Sequence, residues 1–154
     1  MRYSADRQVT IVPEIEMPGH ALAALSVYPE YACSFHSSLN LMAGAGISDQ
    51  VYCPKPQTFQ FIKDILTEVA NLFPGEYIHI GGDECPKTSW EQCEDCQALI
   101  RKENLKDEFE LHSSFIQHFE MIAEGLGRNL IRGVEALDRA PPLTAASTPS
   151  TGEI

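Results

Sequence analysis

Basic residues are scarce in this chain, whose 154 residues include 11 lysines and arginines against 22 aspartates and glutamates. The formal net charge of −11 argues against nucleic acid and against an anionic membrane surface as partners, because both attract clustered Lys and Arg. No apolar run reaches the roughly 18 residues of a membrane span, so no membrane partner is expected. Hydrophobic residues, at 44%, are nevertheless sufficient for the core of one domain. The composition is therefore compatible with a domain that binds an uncharged ligand.

A short apolar strand that ends in a glycine bend and two adjacent carboxylates is the most informative segment. Its sequence is His79-Ile80-Gly81-Gly82-Asp83-Glu84. Residues 76–80 follow a Pro74-Gly75 break and predict a strand, so the two acids lie where this strand gives way to a loop. Catalytic sites are commonly built at this edge of a helix-covered sheet. Asp83 and Glu84 are therefore candidates for acid and base chemistry.

A second predicted strand, residues 9–17, also carries polar residues to its end, where Pro18-Gly19-His20 closes it. Glu14 and Glu16 flank Ile15 and therefore share one face of this strand. One of them could line a pocket, and a buried ion pair inside the sheet would use the same positions. Two strands thus deliver acids and histidines at their C-terminal ends.

Helical periodicity separates the predicted strands. Pro56 opens a helix whose apolar residues recur at helical spacing until Pro74. The remaining predicted elements are the end of a helix at 1–7, helices at 21–31, 93–102 and about 106–126, a loop at 32–49 and a strand at 130–135. This alternation predicts an α/β fold with parallel strands and right-handed crossovers. No internal repeat or low-complexity linker divides the chain, so a single domain is expected.

The two strand ends together resemble the family-20 glycoside hydrolases, the β-N-acetylhexosaminidases. That family carries a P-E-I-[DE]-M-P-G-H strand end and a later H-x-G-G-D-E strand end, which match Pro13–His20 and His79–Glu84. The resemblance covers nearly the whole chain and implies a (β/α)8 TIM barrel. Such a barrel usually needs about 250 residues, so residues 1–154 are expected to form roughly half of one, without the N- and C-terminal barrel strands. The open edges of a half-barrel predict self-association.

The resemblance also implies hydrolysis of terminal non-reducing N-acetylhexosamine residues from a glycan or small molecule, with retention of configuration. In this family the substrate's own 2-acetamido group attacks the anomeric carbon, unlike the two-carboxylate scheme of most glycosidases. Glu84 would be the general acid and base, and Asp83 would orient the acetamido group. His20 would link an aspartate of an earlier strand, upstream of Met1, to Glu84. The remaining candidate residues are substrate-binding positions: His79, Glu14, Glu16 and Trp90.

Each of these positions also has an ordinary structural explanation. Asp83 and Glu84 could cap the following helix. His20 could be a hydrogen-bonded strand-end histidine, and His79 could fill a layer of the barrel. Trp90, the single tryptophan of the chain, could pack in the core rather than touch a sugar.

Departures from the family pattern support a second hypothesis, a catalytically inactive carbohydrate-binding or interaction fragment. Gly133-Val134-Glu135-Ala136 stands where the family has Gly-Trp-[DE]-Glu, and Thr148 stands where a second tryptophan is expected. Both tryptophans would wall the acetamido pocket. The chain alone is therefore expected to be weakly active or inactive. A third hypothesis, a GGDEF-type nucleotide cyclase, is disfavoured by Pro86, which removes a donor that the strand following that motif needs.

The five cysteines allow two structural roles. Cys85, Cys93 and Cys96 could supply three zinc ligands, but the sequence offers no fourth at metal spacing, so no metal and no cofactor are assigned. A disulfide between Cys33 and Cys53 would suit an exported enzyme. A periplasmic or extracellular location is accordingly expected for the full-length enzyme.

Overall fold

The computed structural model describes residues 1–33 and 48–133, and within them the chain forms helices around a small parallel sheet. The α-helices are α1 (Arg2–Ala5), α2 (Leu22–Val27), α3 (Pro56–Leu72), α4 (Thr88–Glu91), α5 (Glu94–Lys102) and α6 (Glu108–Gly125). A 3₁₀ helix covers Pro29–Tyr31, and the strands are β1 (Tyr77–His79) and β2 (Asn129–Ile131). None of the helices in this part of the chain combines the length and apolar character needed to cross a bilayer.

Strand β1 lies at the centre of the sheet. It pairs in parallel with β2 over the full length of both strands. On its other side the extended segment 13–17 runs parallel to it. There the N–H of His79 donates to the Pro13 carbonyl at 2.9 Å, and the N–H of Met17 donates to the Ile80 carbonyl at 3.0 Å. All three segments therefore end at the same edge of the sheet.

The order of elements follows the sequence prediction, but two predicted elements differ in detail. The strand predicted over residues 9–17 is extended and has only Glu14 as a bridge residue, so it is not a regular strand. The helix predicted over residues 21–31 is divided into α2 and the 3₁₀ helix. Pro29 disfavours helical backbone at the residue before it, and Tyr28 indeed has φ −124° and ψ 65°.

Two further differences concern short elements. Helix α4 has no counterpart in the prediction, because four residues are too few to show a helical period. The strand predicted over residues 130–135 corresponds to β2, which begins one residue earlier, at Asn129, and ends at Ile131. Residues 34–47 and 134–154 lie outside the described part of the chain, and with them the predicted positions Val134, Glu135 and Thr148.

The main core lies where α3 and α6 cover the sheet. Helix α3 buries a stripe with a spacing of four residues, Ile62, Leu66 and Ala70, which places these side chains on one face. They belong to the same buried cluster as Ile78 and Ile80 of the central strand and its end. Full burial of each large aliphatic side chain contributes roughly 1.5–3 kcal/mol to folding. This packing fixes the strand whose C-terminal end carries the acidic pair.

A second core lies beside the loops that follow the sheet. It combines the single tryptophan and all five cysteines with three aliphatic residues: Cys33, Val51, Cys53, Cys85, Trp90, Cys93, Cys96, Ile100 and Leu111. Backbone pairing ties the segment of Val51 and Cys53 to the loop before His20, since the N–H of Tyr52 donates to the Pro18 carbonyl at 3.0 Å. The second core therefore supports the loops on which the acids and His20 lie.

Candidate active site

The chain turns sharply after β1 because three of the next residues adopt left-handed backbone. Gly81 has φ +64°, Gly82 has φ +87° and Glu84 has φ +46°. Glycine adopts this conformation readily, whereas a residue with a side chain loses roughly 1–2 kcal/mol. Gly81 also leaves space for a neighbour, because a Cβ there would lie 1.9 Å from Oε2 of Glu16. The glycine pair thus sets the turn that presents Asp83 and Glu84.

Glu84 meets His20 across the edge of the sheet. Nε2 of His20 lies 3.1 Å from Oε2 of Glu84, although 64 residues separate them in sequence. The two side chains remain 34% and 52% exposed, so a ligand can reach both. Their loops are closely packed, since a Cβ on Gly19 would lie 3.2 Å from the Glu84 carbonyl oxygen. The two strand ends singled out in the sequence are therefore in direct contact.

Asp83 has a different neighbour from Glu84. Its side chain lies against Gly133, where an added Cβ would come within 2.8 Å of both Cβ and Cγ of Asp83. The N–H of Gly133 donates to the Gly81 carbonyl at 2.6 Å, which continues the pairing of β1 with the β2 side of the sheet. In the sequence, Gly133 stood out only as the first residue of the segment that differs from the family's Gly-Trp-[DE]-Glu motif. Its role in leaving room for Asp83 depends on tertiary contact and has no signal in the sequence.

His79 and Glu14 form a second histidine and carboxylate pair. Nδ1 of His79 lies 3.0 Å from Oε1 of Glu14 and 3.1 Å from the N–H of Gly81. Glu16 follows Glu14 by two residues, and its Oε2 is buried without a hydrogen-bond partner among the described residues. Burial, followed by a hydrogen bond with Glu14, raises the pKa of the Glu16 carboxyl. The two glutamates therefore interact on one side of the site, whereas the strand pattern predicted only that they share a face.

Lys87 and His112, which the sequence did not single out for the site, pack next to the residue that follows the acidic turn, Cys85. Nζ of Lys87 donates to the Cys85 carbonyl at 2.7 Å and lies 3.2 Å from Nδ1 of His112. Burial, reinforced by the Lys87 charge, lowers the pKa of His112 to about 4. This imidazole is therefore neutral at pH 7. Helical periodicity places His112 on the buried face of α6, but the loop that it faces is set by tertiary packing.

Trp90 does not lie at the site surface. Its side chain is fully buried, and Nε1 donates to the Tyr52 carbonyl at 3.0 Å. A buried indole has no free face on which a sugar could stack. The structure therefore corrects the substrate-binding prediction for Trp90 and supports the packing alternative.

The cysteines are arranged differently from the sequence prediction. Cys85 was grouped with Cys93 and Cys96, but its Sγ lies 3.8 Å from the Pro86 carbonyl, and burial raises its pKa to about 11. All five cysteines are free thiols, so the predicted disulfide between Cys33 and Cys53 is absent. The grouping with Cys85 is wrong because residues distant in sequence take its place. The four converging thiols are Cys33, Cys53, Cys93 and Cys96.

A histidine-paired carboxylate beside a second acid, at the C-terminal edge of parallel strands, is the arrangement of an α/β domain with acid and base chemistry. Carboxylates that act as general acid and general base are typical of glycoside hydrolases. The sequence matches glycosyl hydrolase family 20, catalytic domain, over residues 1–150. The chain belongs to this family.

Individual relatives agree with the family match. A beta-hexosaminidase of Porphyromonas gingivalis is 47% identical over 150 residues, which cover 96% of this chain and 19% of the relative. A beta-hexosaminidase of Vibrio furnissii is 36% identical over 135 residues, which cover 87% of this chain and 22% of the relative. The chain thus spans about a fifth of the length of these relatives.

Solved structures give the same result for the fold. A Flavobacterium johnsoniae chitobiase superposes with a TM-score of 0.83 at 34% identity, covering 90% of this chain and 21% of that chain. A Bacteroides fragilis beta-N-acetylhexosaminidase superposes with a TM-score of 0.74 at 40% identity, covering 84% of this chain and 25% of that chain. The chain is therefore a mixed helix and strand part of the fold that these TIM-barrel enzymes share.

Proposed function

We propose that this chain is part of the catalytic domain of a β-N-acetylhexosaminidase, which removes terminal non-reducing N-acetylhexosamine from a glycan with retention of configuration. Residues 1–154 would supply roughly half of a (β/α)8 barrel as one partial domain. The observation that carries the proposal is the 3.1 Å contact between Nε2 of His20 and Oε2 of Glu84. That contact joins the ends of two parallel segments at one acid, and Asp83 lies beside it.

In the proposed reaction, Glu84 donates a proton to the glycosidic oxygen as the bond between that oxygen and the anomeric carbon breaks. The carbonyl oxygen of the substrate's acetamido group attacks the anomeric carbon and forms an oxazolinium ion. Asp83 accepts a hydrogen bond from the acetamido N–H, which orients the group, and its negative charge stabilises the oxazolinium ion. Glu84, now a carboxylate, takes a proton from the water that opens the oxazolinium ring and so regains its starting form.

The geometry supports separate roles for the two adjacent acids. Asp83 lies against Gly133, whereas Glu84 contacts His20, so the two carboxylates act on different parts of a ligand. His20 restricts the position of the Glu84 carboxyl through the Nε2 contact. His79 and Glu14, at 28% and 53% exposed, are proposed to border the sugar, with Glu16 behind them.

A second candidate function is a catalytically inactive fragment that binds carbohydrate or a partner. The observation that favours it is the burial of Trp90, the only tryptophan of the chain. The described residues thus present no indole face to a sugar. The nucleotide cyclase alternative gains no support, since α4 rather than a strand follows the acidic turn.

The test compares leaving groups, using hydrolysis of 4-nitrophenyl and 2,4-dinitrophenyl N-acetyl-β-glucosaminides by this chain. A general acid contributes about 10²–10⁴ to the rate, so Glu84→Gln should lose about that factor in kcat/KM on the 4-nitrophenyl substrate. Its loss should be much smaller on the dinitrophenyl substrate, whose leaving group needs no proton. Asp83→Asn should lose the same factor on both substrates, because the acetamido group must be oriented in either case.

Glu68→Gln, on the exposed face of α3, is the matched control and should leave kcat/KM unchanged. Equal losses for Glu84→Gln on the two substrates would refute the acid role. If the chain shows no turnover, binding of GlcNAc-thiazoline, a mimic of the oxazolinium ion, separates the remaining cases. Binding that Asp83→Asn abolishes would support the inactive carbohydrate-binding fragment, and no binding would leave neither function for this chain alone.

A further inference from the structure

Four buried thiols meet where three separate segments of the chain converge. Their Sγ atoms all lie within 4.8 Å of one another, and each residue is at most 2% exposed. Sγ of Cys96 lies 3.6 Å from Sγ of Cys33 and 3.6 Å from Sγ of Cys53, and Sγ of Cys53 lies 3.9 Å from Sγ of Cys93. The proposed hydrolysis uses none of these groups.

The spacing fits a tetrahedron around one metal ion. Zinc binds thiolate sulfur at about 2.3 Å, which places the sulfurs of a tetrahedral four-cysteine site roughly 3.8 Å apart. Three of the six Sγ separations, 3.6, 3.6 and 3.9 Å, lie on either side of this value, and none of the six exceeds 4.8 Å. A disulfide would need about 2.05 Å, and none of these pairs is near that distance. The two residues between Cys93 and Cys96 also match the C-x2-C spacing of structural zinc sites.

We propose that Cys33, Cys53, Cys93 and Cys96 bind a structural zinc ion. Four protein ligands close the coordination sphere, which distinguishes a structural site from a catalytic one with an open position. Four thiolates and one zinc ion leave a net negative charge, and the cation near it is Lys55, which also contacts Asp95, with 3.7 Å between Nζ and Oδ2. Its Nζ donates to the carbonyl of Ala32, the neighbour of Cys33, at 3.3 Å, and its side chain is 19% exposed.

The zinc ion would join the loops of the candidate active site. Cys33 lies on the segment that continues from His20 through α2, and Cys93 and Cys96 begin α5, shortly after Glu84. Cys53 adds the segment that pairs with Pro18 and leads into α3. One ion would thus fix three connections whose regular secondary structure is short.

The first experiment measures metal content by elemental analysis of the chain, purified without an affinity metal from zinc-supplemented cells. We expect about one zinc ion per chain, as a closed four-cysteine site holds one. Cys96→Ser should lose the zinc. Cys85→Ser is the matched control, because Cys85 is buried in the same core but outside the four-thiol group, and it should keep the zinc. Zinc retained by Cys96→Ser, or iron in its place, would overturn the proposal.

The second experiment keeps the proposal testable if Cys96→Ser does not fold. Cobalt(II) added to the metal-free, unsubstituted chain should give the intense visible and near-ultraviolet bands of a tetrahedral thiolate site. Zinc should displace the cobalt and remove the bands. Absence of these bands in reduced protein, or a metal-free chain whose mass shows disulfides as purified, would overturn the proposal. No substrate enters either experiment, so the outcome is independent of the proposed hydrolase activity.

Discussion

Replacing Gly81 with alanine tests whether the acidic turn is limited by backbone conformation alone or also by the Glu16 carboxylate. Gly81 and Gly127 have nearly the same left-handed backbone, with φ of +64° and +68°. A Cβ at Gly127 meets nothing within 4 Å, whereas a Cβ at Gly81 lies 1.9 Å from Oε2 of Glu16. The two substitutions therefore share a conformational cost and differ only in the collision.

The expected magnitudes follow from these two contributions. Gly127→Ala should lower the free energy of unfolding by about 1–2 kcal/mol, the cost of left-handed alanine. Gly81→Ala must also move the Glu16 carboxylate from 1.9 Å to an ordinary contact of 3.4 Å. Overpacking of this kind costs about 1–3 kcal/mol, so the total for Gly81→Ala should be about 2–5 kcal/mol.

Urea unfolding followed by far-ultraviolet circular dichroism measures both variants, and a double-mutant cycle isolates the collision. In a Glu16→Ala background the carboxylate is gone, so Gly81→Ala should cost no more than Gly127→Ala. If Gly81→Ala and Gly127→Ala destabilise the unsubstituted chain equally, Glu16 does not constrain the turn. An unchanged cost of Gly81→Ala in the Glu16→Ala background would refute the same reasoning.

Three other substitutions test the support of the site. The pKa of His112 is about 4 in the folded chain, below its ordinary 6.5, so the unfolded chain takes up a proton first as the pH falls. The free energy of unfolding therefore falls by about 1.4 kcal/mol per pH unit from pH 6.5 towards pH 4, and it does not change with this group above pH 6.5. His112→Gln should flatten the resulting decrease in urea midpoint between pH 7 and pH 5. Trp90→Phe removes the donor to the buried Tyr52 carbonyl and should lower the free energy of unfolding by about 1–3 kcal/mol. Asp107→Ala removes the acceptor for the N–H groups of residues 109 and 110 at the start of α6 and should cost about 1 kcal/mol in the same assay.

Each of these expectations has a contrary outcome. Equal pH dependence of the His112→Gln and unsubstituted chains would show that the imidazole titrates alike in both states. A Trp90→Phe chain of unchanged stability would show that the indole N–H makes no net contribution. Asp107→Asn keeps a side-chain oxygen and serves as the control for the cap, so a loss as large as that of Asp107→Ala would contradict the capping role.

The main helices and the acidic strand end could be predicted because their signals are local. Pro56 and the apolar period of α3 define that helix, and the glycine pair after His79 defines the turn. The sequence could not show that residues 9–17 lack regular strand pairing, because pairing depends on how much of the segment lies beside β1. The prediction for Trp90 failed because indole chemistry suits both a core and a sugar site, and only packing decides between them.

The grouping of cysteines shows the same limit more clearly. Cys93 and Cys96 are adjacent on a helix turn and could be paired from sequence, as they were. The other two members come from residues 60 and 40 positions before Cys93, and no pattern links them to it. Likewise the contact of Gly133 with Asp83 arises from neighbouring strands. Local patterns thus indicate where the acids lie, and long-range packing decides what surrounds them.

His20 and Glu84 both have left-handed backbone, with φ of +51° and +46°, at positions that glycine would occupy more easily. Glycine at each position would remove roughly 1–2 kcal/mol of conformational cost from the folded chain. Because glycine also has more conformational freedom in the unfolded chain, the net gain in stability would be smaller. Evolution towards stability alone would therefore remove the two side chains whose contact joins the site. In descendants of this domain that have lost the proposed hydrolase activity, these two positions are where glycine should accumulate first, so the backbone itself would record that loss.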